Sequence, residues 1–105
     1  MKRIDSLRAQ LGGPRDGALL RYSLGVALLD AGDAVEAMAH LRAAIDFDNG
    51  YSAAWKQLGQ ACRRAGNAHA AAAAWRRGIT AAEARGDVQA AKEMRVFLKR
   101  LEAGR

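Results

Sequence analysis

Along most of the chain, apolar residues recur every three or four positions, which is the spacing of a helix that buries one face. The pattern predicts helices over residues 17–31, 34–47, 52–65, 68–85 and 88–102, with a further short helix over 3–11. Gly32, Gly66 and Gly86 are each expected to end a helix, and the Asp or Asn that follows is the expected N-cap of the next one. Because these turns are so short, successive helices should form antiparallel hairpins.

Between Leu24 and Ile79 the sequence repeats itself with a period of 34 residues, which indicates a stack of helical repeats. Alignment of residues 18–51 on 52–85 gives ten identical positions. These are Leu24/Leu58, Gly25/Gly59, Ala27/Ala61, Ala31/Ala65, Gly32/Gly66, Ala34/Ala68, Ala37/Ala71, Ala39/Ala73, Arg42/Arg76 and Ile45/Ile79. Gly25 and Gly59 fall in mid-helix, where glycine costs up to about 1 kcal/mol relative to alanine. We therefore expect a neighbouring helix to approach closely at both glycines.

Both copies resemble the tetratricopeptide repeat pattern. The matching residues are Leu24-Gly25, Gly32-Asp33, Ala37, Leu41 and Ala44 in the first copy, and Trp55, Leu58-Gly59, Gly66-Asn67, Ala71, Trp75 and Gly78 in the second. The departures are Arg21 in place of an aromatic residue, Asn49 and Glu83 in place of the proline that ends a repeat, and Lys92-Glu93 where a third Leu-Gly pair would stand.

This resemblance implies an all-α fold, a right-handed stack of antiparallel helix hairpins with about five helices. The whole chain, 1–105, would form a single domain. Its expected parts are an N-terminal helix (3–11), two repeats (18–51 and 52–85) and a C-terminal capping helix (88–102). Repeat arrays usually need about three units for stability, so the flanking helices should supply the rest of the packing.

Tetratricopeptide repeats are scaffolds in which the first helix of each pair lines a concave groove that holds a peptide. The resemblance thus implies a protein–protein interaction module. By position, the expected groove residues are Leu19, Tyr22, Ser23, Val26 and Leu29 in the first repeat, and Ala53, Lys56, Gln57, Gln60, Arg63 and Arg64 in the second. The family's chaperone-binding members use a clamp of Lys, Asn and Arg across three repeats, and Tyr22 and Val26 occupy two of those places, so chaperone C-termini are not the expected ligand.

The basic half of this groove also follows from helical spacing alone. Lys56, Gln60, Arg63 and Arg64 lie at i, i+4, i+7 and i+8, which places them in one stripe on a helix face. Guanidinium groups bind carboxylates in a bidentate fork, so the expected ligand is an acidic segment or free C-terminus of a partner protein. Two alternatives stay open: the charges are ordinary solvated ones, or the N-terminal helix itself covers the apolar half.

The charge balance leaves a second function open. Lys and Arg number 17 against 11 Asp and Glu, a net charge of +6, which would attract acidic proteins or nucleic acid. The last predicted helix carries Lys92, Arg95, Lys99 and Arg100, which suggests an anionic surface as the alternative partner. Glu93 and Glu102 interrupt this stripe and no aromatic platform accompanies it, so a protein partner is favoured over nucleic acid.

No catalytic or ligand-binding motif is present, so the chain is not expected to be an enzyme or to hold a cofactor or metal. Cys62 falls on a buried stripe, and Trp55 and Trp75 are expected core anchors. The chain has no apolar run of the roughly 18–20 residues that a membrane span needs and no signal-peptide pattern, which predicts a cytoplasmic protein. The run Ala70–Ala74 would offer a flat surface to a second copy in a homodimer.

Overall fold

The computed structural model describes residues 2–104 as helices joined by short turns. The helices are α1 (Lys2–Arg8), α2 (Ala18–Asp30), α3 (Ala34–Phe47), α4 (Ser52–Arg64), α5 (Ala68–Arg85) and α6 (Val88–Ala103). Within the described residues there are six helices and no strand, so the all-α class is confirmed. The expected number of about five helices was too low by one, although each of the six segments was predicted to be helical. The N-terminal helix ends at Arg8, earlier than predicted, and residues 9–11 form turns.

Three turns of one design connect the helices after α2, α4 and α5. Gly32, Gly66 and Gly86 have φ angles between 74° and 88°, where a residue with a Cβ would be strained. The residue after each glycine donates its N–H to the carbonyl five residues back, at 2.8–2.9 Å. The side chain of that residue accepts the N–H of the third residue of the next helix: Asp33 from Glu36, Asn67 from Ala70 and Asp87 from Ala90. At these three turns the predicted helix ends and N-caps are confirmed.

The helices after α1 lie in two layers. α4 contacts both α2 and α6, and these three helices form one layer, whose surface we call the α2/α4/α6 face. α3 and α5 form the other layer and pack against the first one. Within the described chain the backbones of α3 and α5 do not pack against each other, although Arg85 of α5 pairs with Asp48, the C-cap of α3. α1 packs on α2, and the Arg8 guanidinium donates to both carboxylate oxygens of Glu36 in α3 at 2.6 Å. Leu19 at the start of α2 stays 70% exposed, so α1 leaves that part of α2 open.

Close helix packing explains the two mid-helix glycines. A Cβ at Gly59 would lie 2.1 Å from Trp75 Nε1, and a Cβ at Gly25 would lie 2.6 Å from Leu41 Cγ. The expected close approach is confirmed at both positions. Trp55 and Trp75 both belong to the core, as predicted. Cys62 is also buried, and burial raises the pKa of its thiol, which favours the unreactive protonated form.

Arg21, which replaces the aromatic residue of the repeat pattern, forms a local ion pair. Its Nε and Nη2 donate to the two carboxylate oxygens of Asp16 at 2.8 and 2.9 Å, and Asp16 also accepts the N–H of Gly12. These hydrogen bonds, the one from Arg21 foremost, lower the pKa of Asp16 to about 2. The Arg21–Asp16 ion pair therefore holds the loop between α1 and α2 against the first turn of α2.

A pH titration of the Asp16 carboxylate tests for the Arg21–Asp16 ion pair. We expect NMR to give a midpoint of about 2 for Asp16, and Arg21→Gln to raise the midpoint towards the ordinary value of 3.8. Because the folded pKa lies below the unfolded one, the pair stabilises the fold above the unfolded pKa, and that contribution is lost as the pH falls towards 2. Arg15→Gln, an equal charge change beside Asp16, is the control. An unchanged Asp16 midpoint in Arg21→Gln would contradict the assignment.

Candidate functional site

The residues expected to bind a peptide differ widely in exposure. Arg63, Arg64 and Leu19 are exposed, whereas Tyr22, Ser23, Val26, Ala53, Lys56, Gln57 and Gln60 are half-buried. Leu29 is 3% exposed and belongs to the core, so it offers almost no surface to a ligand. The Tyr22 ring packs at 5.0 Å, centroid to centroid, against Tyr51 at the start of α4. The apolar half of the expected groove is therefore smaller than its sequence suggests.

Lys56 is engaged within the protein. Its Nζ lies 2.9 Å from Glu93 Oε1 in α6, and this ion pair lowers the pKa of Glu93. The charge that the sequence assigned to a ligand instead joins α4 to α6. Both side chains are partly exposed, and such a pair contributes on the order of 0–1 kcal/mol to folding stability.

The two arginines at the end of α4 have different roles. Arg64 reaches back to α2, where its Nη1 donates to the carbonyl oxygen of Leu29 at 3.3 Å. Arg63 donates through Nε and Nη2 to the side-chain oxygen of Gln60 at 3.4 and 3.3 Å, which are long hydrogen bonds to a neutral group. Arg63 thus keeps an uncompensated positive charge on the exposed surface of a rigid helix.

Beside Arg63 lies a pocket that sequence reasoning missed. It has a volume of about 610 Å³ and opens where the C-terminal ends of α4 and α6 meet the start of α5. Its lining includes Gln60 and Arg63 from α4, Trp75 from α5, and Phe97, Arg100 and Leu101 from α6. Phe97 and Leu101, four residues apart, are the signal that could have revealed it. The sequence does not predict this pocket, because α6 lacks the Leu-Gly pair and its pattern indicates only a capping helix.

The basic stripe of α6 is broken in the structure as well as in the sequence. Arg95 is paired with Glu83 of α5, which leaves Lys92, Lys99 and Arg100 as separate exposed cations. Glu102, which interrupts the stripe, pairs with Arg76 at 2.8 Å. This arrangement weakens the nucleic-acid alternative, because carboxylates already compensate part of the positive charge at α6.

The alanine run that suggested a homodimer is mostly used within the protein. Ala71, Ala72 and Ala74 are buried in the core, Ala70 is half-buried, and Ala73 alone within the run is exposed. Among residues 2–104, no group of three or more His, Cys, Asp or Glu residues is arranged to hold a metal ion. None of the described helices is long and apolar enough to cross a membrane.

An all-helical stack of antiparallel hairpins with an internal period of 34 residues defines the class of helical-repeat proteins. No family model matches the chain. The chain is 46% identical over 102 residues to the TPR repeat-containing protein PA0015 of Pseudomonas aeruginosa, and the alignment covers 97% of each protein. The chain therefore belongs to the tetratricopeptide repeat (TPR) family.

Two solved structures have a similar fold. The solution structure of protein BPP2914 from Bordetella parapertussis superposes with a TM-score of 0.82 at 42% identity, covering 98% of this chain and 87% of that one. The crystal structure of MamA gives a TM-score of 0.71 at 22% identity, covering 95% of this chain and 65% of MamA. The second likeness concerns the fold alone.

Proposed function

We propose that this TPR protein binds a peptide segment of a partner protein along the α2/α4/α6 face. Membership of the TPR family suggests a role in protein–protein interaction, and the uncompensated charge of Arg63 supports an acidic segment or a free C-terminus as the ligand. In this proposal residues 18–51 and 52–85 are the two repeats of a right-handed stack, and residues 88–102 cap it. Tyr22 and Val26 would contact apolar side chains of the same peptide.

The observation that carries this proposal is the position of Arg63. A guanidinium whose hydrogen-bond partner is a neutral amide retains its capacity to bind a carboxylate. It stands on a helix whose backbone is held by neighbours on both sides, so little conformational entropy is lost when a ligand binds.

Affinity capture from lysate of the source cells, with matched charge variants, tests the proposal. We expect wild type to retain a partner that Arg63→Glu/Arg64→Glu loses, because the reversed charges would repel an acidic segment. Lys56 is left unchanged because Glu at that position would face Glu93 and loosen α6. The control is Arg42→Glu/Arg77→Glu, an equal charge change in the α3/α5 layer. Circular dichroism checks that both variants are folded.

Each result of the capture experiment decides between surfaces. Loss of the partner in the α4 variant alone supports the α2/α4/α6 face. Retention by the α4 variant and loss in the control variant would contradict the proposal and point to the opposite layer. Co-elution of nucleic acid in place of protein would favour the anionic-surface alternative.

A further inference from the structure

We infer that the pocket between α4, α5 and α6 binds a large apolar side chain of the partner, flanked by carboxylates that pair with Arg63 and Arg100. The inference rests on the proposed function and deepens it. It moves the main anchor point from the α2 end of the groove to the α6 end, and it gives α6 a share in binding. We call this site the α4/α6 pocket.

The size and the walls of the α4/α6 pocket suit an apolar side chain. Its volume of about 610 Å³ falls within the roughly 300–1,000 Å³ that is usual for ligand sites. Trp75 forms a fixed wall, since it is 1% exposed and its Nε1 donates to the carbonyl oxygen of Lys56 at 3.1 Å. The Phe97 ring packs against it at 5.5 Å, and Leu101 stands one helical turn further along α6.

The charges around the α4/α6 pocket select an acidic ligand. Arg63 and Arg100 both line it, and no Asp or Glu does so within the described residues. The two carboxylates of α6 are already paired with other cations, Glu93 with Lys56 and Glu102 with Arg76. In residues 2–104, the guanidinium of Arg100 makes neither a hydrogen bond nor an ion pair. Two arginines that lack a carboxylate partner therefore flank an apolar cavity.

The geometry of the aromatic side chains favours a peptide over nucleic acid. Binding of single-stranded nucleic acid relies on bases that stack on open aromatic faces. Here Trp75 is 1% exposed and its ring packs against the tilted Phe97 ring, so Trp75 offers no open face on which a base could stack. The half-buried Phe97 and Leu101 side chains can contact an apolar side chain of a peptide, whereas the arginines that line the pocket can reach carboxylates on either side of it.

An NMR titration with a defined probe tests this inference on the intact protein. The probe is the capped peptide Asp-Asp-Phe-Asp-Asp, and matched peptides replace Asp with Lys or Phe with Ala. The readout is the indole N–H signal of Trp75, and the indole of Trp55, which hydrogen-bonds to Asn49 outside the pocket, is the internal control. We expect a saturable shift of the Trp75 signal with the acidic Phe peptide, no such shift with the Lys peptide, and a weaker one with the Ala peptide.

Charge-neutral variants complete the test. Arg63→Gln/Arg100→Gln should weaken probe binding by about tenfold or more, because both charge-assisted hydrogen bonds to the carboxylates of the probe are lost. Arg42→Gln/Arg77→Gln in the other layer should leave it unchanged, and thermal melts check that both variants fold. Both substituted sites of the first variant are on the exposed surface, so the fold should tolerate them.

The outcomes separate this inference from the proposed function. Shifts confined to α2 and the start of α4, with Trp75 unmoved, would overturn the inference and leave the proposed function standing. If the Lys peptide bound equally well, or if no peptide shifted any signal, the claim that the α4/α6 pocket binds an apolar side chain flanked by carboxylates would be overturned. The capture experiment with Arg63→Glu/Arg64→Glu would then decide the proposed function independently.

Discussion

Deletion of residues 88–105 is expected to leave a chain that retains helix but no longer unfolds cooperatively. α6 buries Ala90, Ala91 and Met94 against α5, and Met94 is 0% exposed. Its sulfur lies so near Gly78 that a Cβ there would be 2.4 Å away. Without α6, Trp75 loses its contact with Phe97 and part of the core faces water. We expect a strong far-UV circular dichroism signal, a flat near-UV signal, and binding of a hydrophobic dye.

The full-length variant Met94→Ala is the control for this deletion. Removal of one buried side chain should lower the free energy of unfolding by about 2–5 kcal/mol while the transition stays cooperative. A cooperative thermal transition of the deleted chain, with native near-UV circular dichroism, would contradict the requirement for α6. Two hairpins would then be sufficient for the fold.

Gly59→Ala should destabilise the protein, although alanine is the better helix former. The added Cβ would meet the Trp75 indole, which is buried and held by the hydrogen bond from its Nε1 to the carbonyl oxygen of Lys56. Overpacking of this kind costs about 1–3 kcal/mol, which exceeds the gain of up to about 1 kcal/mol in helix propensity. We expect the melting temperature to fall by roughly 5–10 °C in circular dichroism or calorimetry.

Substitutions at two other glycines serve as comparisons for Gly59→Ala. Gly17→Ala places its Cβ in open space and changes only the N-cap of α2, so the melting temperature should fall by less than in Gly59→Ala. Gly25→Ala would place its Cβ 2.6 Å from Leu41 Cγ, a less severe overlap than the 2.1 Å at Gly59, so its effect should be intermediate. A melting temperature for Gly59→Ala equal to or above that of wild type would show that Trp75 can yield, and would contradict the packing explanation for the mid-helix glycines.

The sequence predicted the helices well because their signals are local. The Gly32-Asp33 and Gly66-Asn67 turns need only a residue that tolerates positive φ and a side chain that accepts the next free N–H, and both properties belong to the residues themselves. The 34-residue period then implied the hairpins. The end of α1 was predicted too late, because Leu11 continues the apolar spacing even though the backbone has already left the helix.

The candidate site was harder to predict because it depends on which helices meet. Lys56 lies on the predicted face of α4, but sequence could not indicate that Glu93 of α6 stands opposite and pairs with it. Arg64 likewise finds its acceptor, the Leu29 carbonyl, 35 residues earlier in the chain. The α4/α6 pocket combines residues from three helices. To predict the pocket, one must know how α6 packs on α5. The sequence of α6 does not indicate this, because α6 lacks the Leu-Gly pair of the repeat pattern.

Chemical-shift mapping of the protein with its captured partner is the most direct test of the central claim, which is that the partner binds the α2/α4/α6 face. The account predicts that shifts upon binding concentrate in α4 and α6, include the Trp75 indole, and spare the exposed residues of α3. A shift pattern centred on α3 and α5, around Arg42 and Arg77, would contradict it and assign the interaction to the opposite layer.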